Sequence, residues 1–144
     1  MSKQVKLRAF EISNNTVTKP LQVAALLKQK LDSSESSNKR RMLLNKDDPK
    51  KEEDLISHFD TSKNSIVFAT MLRIAPGDNV QHIDEKLFEK ANFSISDLLN
   101  AKLSTSAIYK DHYYFLLSNR FVVTNLSGRT TIMRLQTYLN WLLN

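Results

Sequence analysis

An α+β fold in one domain spanning 1–144, with a mainly antiparallel sheet of about four to five strands and helices packed against it, is what this sequence predicts. Three observations lead there. Residues 65–74 form an almost uninterrupted apolar strand, with Ile66, Phe68, Leu72 and Ile74 alternating with Val67, Ala69 and Met71. Residues 107–125 read as two strands joined by a tight turn around Ser118, Asn119 and Arg120. Residues 131–143 then carry Ile132, Leu135, Leu139 and Leu142 at helical spacing, the stripe of a helix lying on a sheet. With 144 residues and 41% hydrophobic content, the chain can bury a core without disulfide or metal staples.

The elements follow in order. Val5–Ile12 alternates as a strand with both faces partly apolar. Asn14 and Asn15 make a turn, and Thr18 caps a helix with Pro20 in its first turn, running to about Leu31, in which Leu21, Ala24, Ala25 and Lys28 follow the helical rhythm loosely and Leu27 and Leu31 extend an apolar stripe. From 32 to 54 the composition turns to Ser, Asn, Lys and Asp, interrupted by Met42, Leu43 and Leu44. This segment reads as a flexible or functional basic excursion in which a short strand at 41–44 fits. Residues 55–59 suit either a hairpin partner for the central strand 65–74 or the end of a short helix begun at 51–53. After the Ala75-Pro76-Gly77-Asp78 turn come two short helices, 84–90 and 96–101. Ser94 and Asp97 before the second have the Ser-x-x-Asp form of a capping box.

Charge falls into three blocks. Residues 1–51 hold 12 Lys/Arg against 5 Asp/Glu, residues 52–99 hold 4 against 9, and residues 100–144 hold 5 against 1, which gives the net charge of +6. Local excess of one sign governs which polyanion or charged surface a small protein attracts, so the pattern points to binding. The absence of cysteine excludes thiolate metal sites and thiol nucleophiles and fits a reducing compartment. Only two glycines, Gly77 and Gly128, are present, too few for a phosphate-cradling loop, so no cofactor is expected. No segment approaches about 18 consecutive apolar residues and the N-terminus lacks a secretory pattern, so a cytoplasmic protein without membrane attachment is expected.

Catalytic patterns are not readable. His58, His82 and His112 are scattered, and only His82 with Glu85 has ligand spacing. Asp54, Asp60 and Asp111 could converge on a metal as in nucleases, but they read more simply as solvated strand or turn ends. No enzyme is expected.

Two cationic clusters carry the binding hypothesis. Lys39, Arg40, Arg41, Lys46, Lys50 and Lys51 lie in the 32–54 excursion, where they could neutralise phosphates, although neighbouring carboxylates partly cancel them. In the C-terminal hairpin, Tyr109, Tyr113, Tyr114 and Phe121 are interleaved with Lys110, His112, Arg120, Arg129 and Arg134. Alternation puts Tyr109, Tyr113, Phe115 and Leu117 on one face, best read as core, and leaves Tyr114 beside Lys110 and His112 on the other. Residues 127–131 ahead of the last helix combine Gly, hydroxyls and Arg, competent for an anion but also for plain capping.

The residues Tyr113 to Leu117, Phe121 to Asn125, Gly128 to Thr131 and Leu135 to Leu139, behind an N-terminal strand and helix, resemble the N-terminal region of the RexA family of phage exclusion proteins and related phage-defence proteins. The resemblance implies DNA binding and a role in phage–host conflict, and it transfers no catalytic residue. The function expected from the sequence is thus non-enzymatic nucleic-acid binding, with duplex DNA the first partner to consider. The alternative is a protein-interaction module, an inhibitor, antitoxin or accessory subunit that docks on a protein partner or a second copy.

Overall fold

Six strands, not four or five, build the sheet in the computed structural model, which describes residues 4–12, 22–47, 49, 51–76, 85–97, 107–126 and 129–144. They are β1 (Arg8–Glu11), β2 (Met42–Leu43), β3 (Glu53–Asp60), β4 (Val67–Pro76), β5 (Ala107–Leu117) and β6 (Phe121–Thr124), in the order β1-β6-β5-β4-β3-β2. The helices are α1 (Val23–Asp32), α2 (Glu85–Glu89) and α3 (Arg129–Leu143), with a 3-10 turn at Ser37–Arg40. The undercount has a physical origin in β3, where four successive residues, Asp54 to Ser57, are all buried. A strand covered on both faces has no two-residue rhythm to separate it from a buried helix.

The chain packs as two compact units, one made of Met1–Ser33, Asp60–Ala69 and Tyr113–Asn144, the other of Ser34–Phe59 and Thr70–His112. The first, which we call the outer-segment unit, takes its elements from both ends of the chain. The second, the middle-segment unit, is built from the interior.

In the outer-segment unit β6 pairs antiparallel with both β1 and β5, with Phe10 opposite Val122 and Leu117 also opposite Val122. Tyr113, Phe115, Leu117, Val122 and Thr124 are buried on one face of this hairpin. Arg134 of α3 sits over the Tyr113 ring, 5.0 Å from its centroid, so this is the face that α3 covers. Leu135, Tyr138 and Leu142 form the buried stripe of α3, while Ile132 and Leu139 are only half-buried. Tyr138, which the leucine and isoleucine spacing did not include, is thus the centre of that stripe. Helix α1 buries Ala24, Leu27 and Leu31. Its start comes from the tertiary structure: Gln22 at the N-cap makes no side-chain cap, and Asn119 in the β5–β6 turn accepts the Ala24 N–H at 2.9 Å. The expected cap at Thr18 lies outside the described residues.

The middle-segment unit has its own core of Leu55, Leu72, Ile74, Leu87, Phe88 and Phe93, with Ile95 packed against it. Phe88 and Phe93 meet edge-to-face at 5.5 Å and 87°. The capping box read from the sequence is present in reciprocal form: the Asp97 N–H donates to Ser94 Oγ, and the Ser94 N–H donates to the Asp97 carboxylate, both at 3.0 Å. That backbone N–H, and then the Ser94 side chain, hold the Asp97 carboxyl below the usual carboxylate range. Within the 32–54 segment the 3-10 turn Ser37–Arg40 and β2 are regular structure. The Ser37 N–H and hydroxyl donate to the carbonyls of Lys90 and Phe88, at 2.8 and 3.0 Å, and β2 pairs antiparallel with β3. Among the described residues no helix is long and apolar enough to cross a membrane.

Candidate nucleic-acid interface

The two arginines of the basic segment in the middle-segment unit are engaged within its own fold. Arg40 is only 1% exposed. Its Nε donates to the Ile56 carbonyl at 3.0 Å, its Nη1 to Ser34 Oγ at 2.8 Å and its Nη2 to the Ala91 carbonyl, while Phe59 lies under the guanidinium at 5.2 Å. A rigid fork of five donors can tie three chain segments together in this way, and a guanidinium so enclosed is not presented to a phosphate. Arg41 pairs with Glu53 at 2.5 Å, donates to Asn38 Oδ1 at 3.0 Å and covers the Phe88 ring at 4.7 Å. Lys51 Nζ reaches the Lys46 carbonyl at 2.5 Å. Lys39, Lys46 and Lys51 are exposed, and Lys50 lies outside the described residues. For Lys110 and Arg129 the backbone alone is described, in β5 and at the first residue of α3.

The outer-segment unit is arranged differently. Register places Tyr114, Leu116, Phe121, Val123, Ala9 and Glu11 on the sheet face opposite the one under α3. Tyr114 stays 38% exposed and Phe121 48% exposed. Phe68 of β4, read from sequence as part of a fully buried strand, is 39% exposed and stacks on Tyr114 with ring centroids 5.9 Å apart and planes 16° from parallel. At that distance the rings are laterally offset, which leaves ring surface open on each.

These aromatics stand on a fixed backbone. The Tyr114 N–H donates to Asn125 Oδ1 at 2.8 Å, and its carbonyl accepts the Thr124 hydroxyl at 2.7 Å. The side chains of Thr124 and Asn125 thereby hold Tyr114 one residue beyond the last ladder pair, Phe115 with Thr124. Phe121 is held by the turn: Ser118 Oγ accepts the Phe121 N–H at 3.0 Å and the Arg120 N–H at 3.3 Å, and the Ser118 N–H donates to the Phe121 carbonyl at 2.9 Å. Arg120 is exposed at the tip of that turn. Arg134 belongs to the covered face, over Tyr113.

The fold also regroups the charge. Over its three segments the outer-segment unit has ten Lys/Arg against three Asp/Glu, a net of +7, whereas the middle-segment unit has eleven against twelve, a net of −1. Linear blocks hide this division because each unit is assembled from segments that are separate in sequence.

Among the described residues the carboxylates do not gather. Asp54 is fully buried and held by Arg73 through Nε at 2.8 Å and Nη2 at 2.9 Å. Asp60 Oδ1 accepts the Ser62 N–H at 2.8 Å, a turn-forming contact. No group of three or more His, Asp or Glu placed to hold a metal occurs among the described residues. The His82 and Glu85 pair, and the 127–131 segment, of which 129–131 form the first turn of α3, fall on residues whose side chains are not described. A shallow cleft between α1 and α3, lined by Leu26, Gln29, Lys30, Ser33 and Leu143, offers one charged group and no convergent polar set. No known family, curated protein or solved structure matches the chain.

Of the residues read as candidates, the structure brings Tyr114 together with Phe68 and carries Arg120 beside Phe121. Sequence reading missed Phe68 as a surface residue. The signal that could have found it is its shared parity with Tyr114, visible only once β4 and β5 are known to be neighbours.

Proposed function

We propose that this protein is a non-enzymatic nucleic-acid-binding protein and that the exposed aromatic face of the outer-segment unit is its contact surface. One observation carries the reading: the exposed Phe68–Tyr114 pair and Phe121 belong to the unit that holds a net charge of +7. Aromatic rings on a sheet supply stacking surface, and excess cations attract the phosphate backbone. The resemblance of the C-terminal hairpin to RexA-type proteins points the same way, toward DNA and phage exclusion. A protein partner is the second reading, favoured by the exposed Met133 and Trp141 on α3 of the same unit.

Fluorescence anisotropy with labelled oligonucleotides, single-stranded and duplex, tests the proposal. Between 50 and 200 mM salt the affinity is expected to fall roughly 20- to 40-fold if about three phosphates are neutralised. No binding to any oligonucleotide at 50 mM salt would sink it and leave the protein partner.

A further inference from the structure

The geometry points to single-stranded nucleic acid as the ligand of the aromatic face, an inference that rests on the nucleic-acid reading above and narrows it. Duplex DNA presents phosphates and groove edges, and its base faces are stacked against one another. A protein surface that reads a duplex therefore needs an element to enter a groove or a cationic surface to follow the backbone. The face described here offers neither a projecting helix nor a row of arginines. It offers rings.

Phe68 and Tyr114 are near-parallel at 16°, offset, and each more than a third exposed. Such rings gain most from the flat face of a base that is not already stacked. Four residues of strand rise, about 13 Å, separate the level of Tyr114 from the Ser118–Phe121 pair that closes the hairpin. Leu116 and Val123, directly opposite each other, fill the interval half-exposed. The face therefore presents one aromatic pair and one separate ring with an apolar floor between them, room for more than one unstacked base. Duplex DNA cannot use that floor.

Charge sets the path of the backbone. Glu11 stands opposite Phe121 in register and is exposed, which disfavours a phosphate at that point of the β1 edge. Arg120, adjacent to Phe121 in the turn, and Lys63, in the turn before β4, are exposed cations of the same unit. A single strand is flexible enough to put bases on the rings and phosphates on these side chains. Its chemistry, flat apolar faces alternating with anions, matches the face.

The test compares one sequence as single strand and as duplex at 50 mM salt, with the variants Phe68→Ala, Tyr114→Ala, Tyr114→Leu and Tyr114→Phe. Single strand is expected to bind at least 10-fold tighter than duplex. Tyr114→Ala and Phe68→Ala should each weaken single-strand binding roughly 5- to 100-fold, the range for loss of one stacking ring. Tyr114→Phe should retain binding and Tyr114→Leu should not, which separates stacking from apolar contact. Circular dichroism checks that each variant is folded, and the exposure of both rings makes that the expected outcome. Duplex binding equal to or tighter than single-strand binding overturns this inference and leaves the nucleic-acid reading intact, whereas variants that bind like the parent overturn this inference and remove the aromatic face as the contact surface, nucleic-acid binding itself still standing. Absence of all binding overturns both.

Discussion

Arg40 in the middle-segment unit and Arg120 in the outer-segment unit occupy opposite extremes of what a guanidinium can do. The first is enclosed, donating to two backbone carbonyls and a serine hydroxyl, with an aromatic ring beneath it. The second stands exposed at the tip of a hairpin turn whose geometry is fixed by the Ser118 hydroxyl and by backbone groups, its own N–H among them. The contrast extends to the units. Eleven Lys/Arg in one are outnumbered by twelve Asp/Glu, and Arg41 and Arg73 pair with Glu53 and Asp54, whereas ten in the other face three carboxylates. Number of cations is therefore a poor guide to binding capacity. What counts is how many are left without structural work.

Substitutions that separate these roles test the contrast. The largest effect is expected for Arg40→Ala, which removes the guanidinium donors to the Ile56 and Ala91 carbonyls and opens a void beside Phe59. A loss of about 3 kcal/mol in urea unfolding is expected, with oligonucleotide affinity of the folded protein unchanged. Loss of affinity without loss of stability would erase the distinction between the units. Next is Arg120→Ala, for which stability should stay within about 0.5 kcal/mol while the salt dependence of single-strand binding becomes shallower by about 0.7 in log–log slope. An unchanged slope would remove Arg120 from the interface.

The smallest effect concerns pH. Asp97 has its carboxyl lowered in the folded chain by the Ser94 N–H and then the Ser94 side chain. A lowered value means that the carboxylate's contribution is fully present above its unfolded-state range and is lost as pH falls through the folded value. Protection of the Ser94 amide, taken relative to its intrinsic exchange rate at each pH, should accordingly be high at neutral pH and fall on acidification below the ordinary carboxylate range. Exchange at Tyr114 in the other unit, whose N–H is held by Asn125 Oδ1, should show no such acid-dependent step.

Much of this architecture can be read from local pattern. The strand β5 spans the expected 107–117, the tight turn at 118–120 is present, and α3 ends where the leucine spacing ends. The capping box was legible because both partners lie within three residues. Phe68 and Arg40 were not legible, for opposite reasons. Phe68 sits in an apolar run whose later part, Thr70 to Ala75 apart from Arg73, is buried, so nothing in the run marks where cover stops. Arg40 is a charged residue in a polar segment, and its acceptors come from residues 34, 56 and 91. Tyr114 was separable from Tyr113 because two-residue alternation is a local rule. The partners that give Tyr114 its role, Phe68 and Asn125, belong to other strands or their ends.

The bond between Asn119 Oδ1 and the Ala24 N–H joins residues 95 apart in sequence, and it has a consequence for the order of events during synthesis. A nascent chain that has emerged as far as the end of β4 holds α1 without the acceptor that satisfies its first turn, and holds Phe68 without Tyr114. The middle-segment unit acquires its principal core residues, Leu55 to Phe93, before Tyr114 and Asn119 emerge. Contacts that close so long a loop form late. The aromatic face should thus be among the last features to appear, and chains that terminate early should emerge with much of the middle-segment core and without the surface that binds.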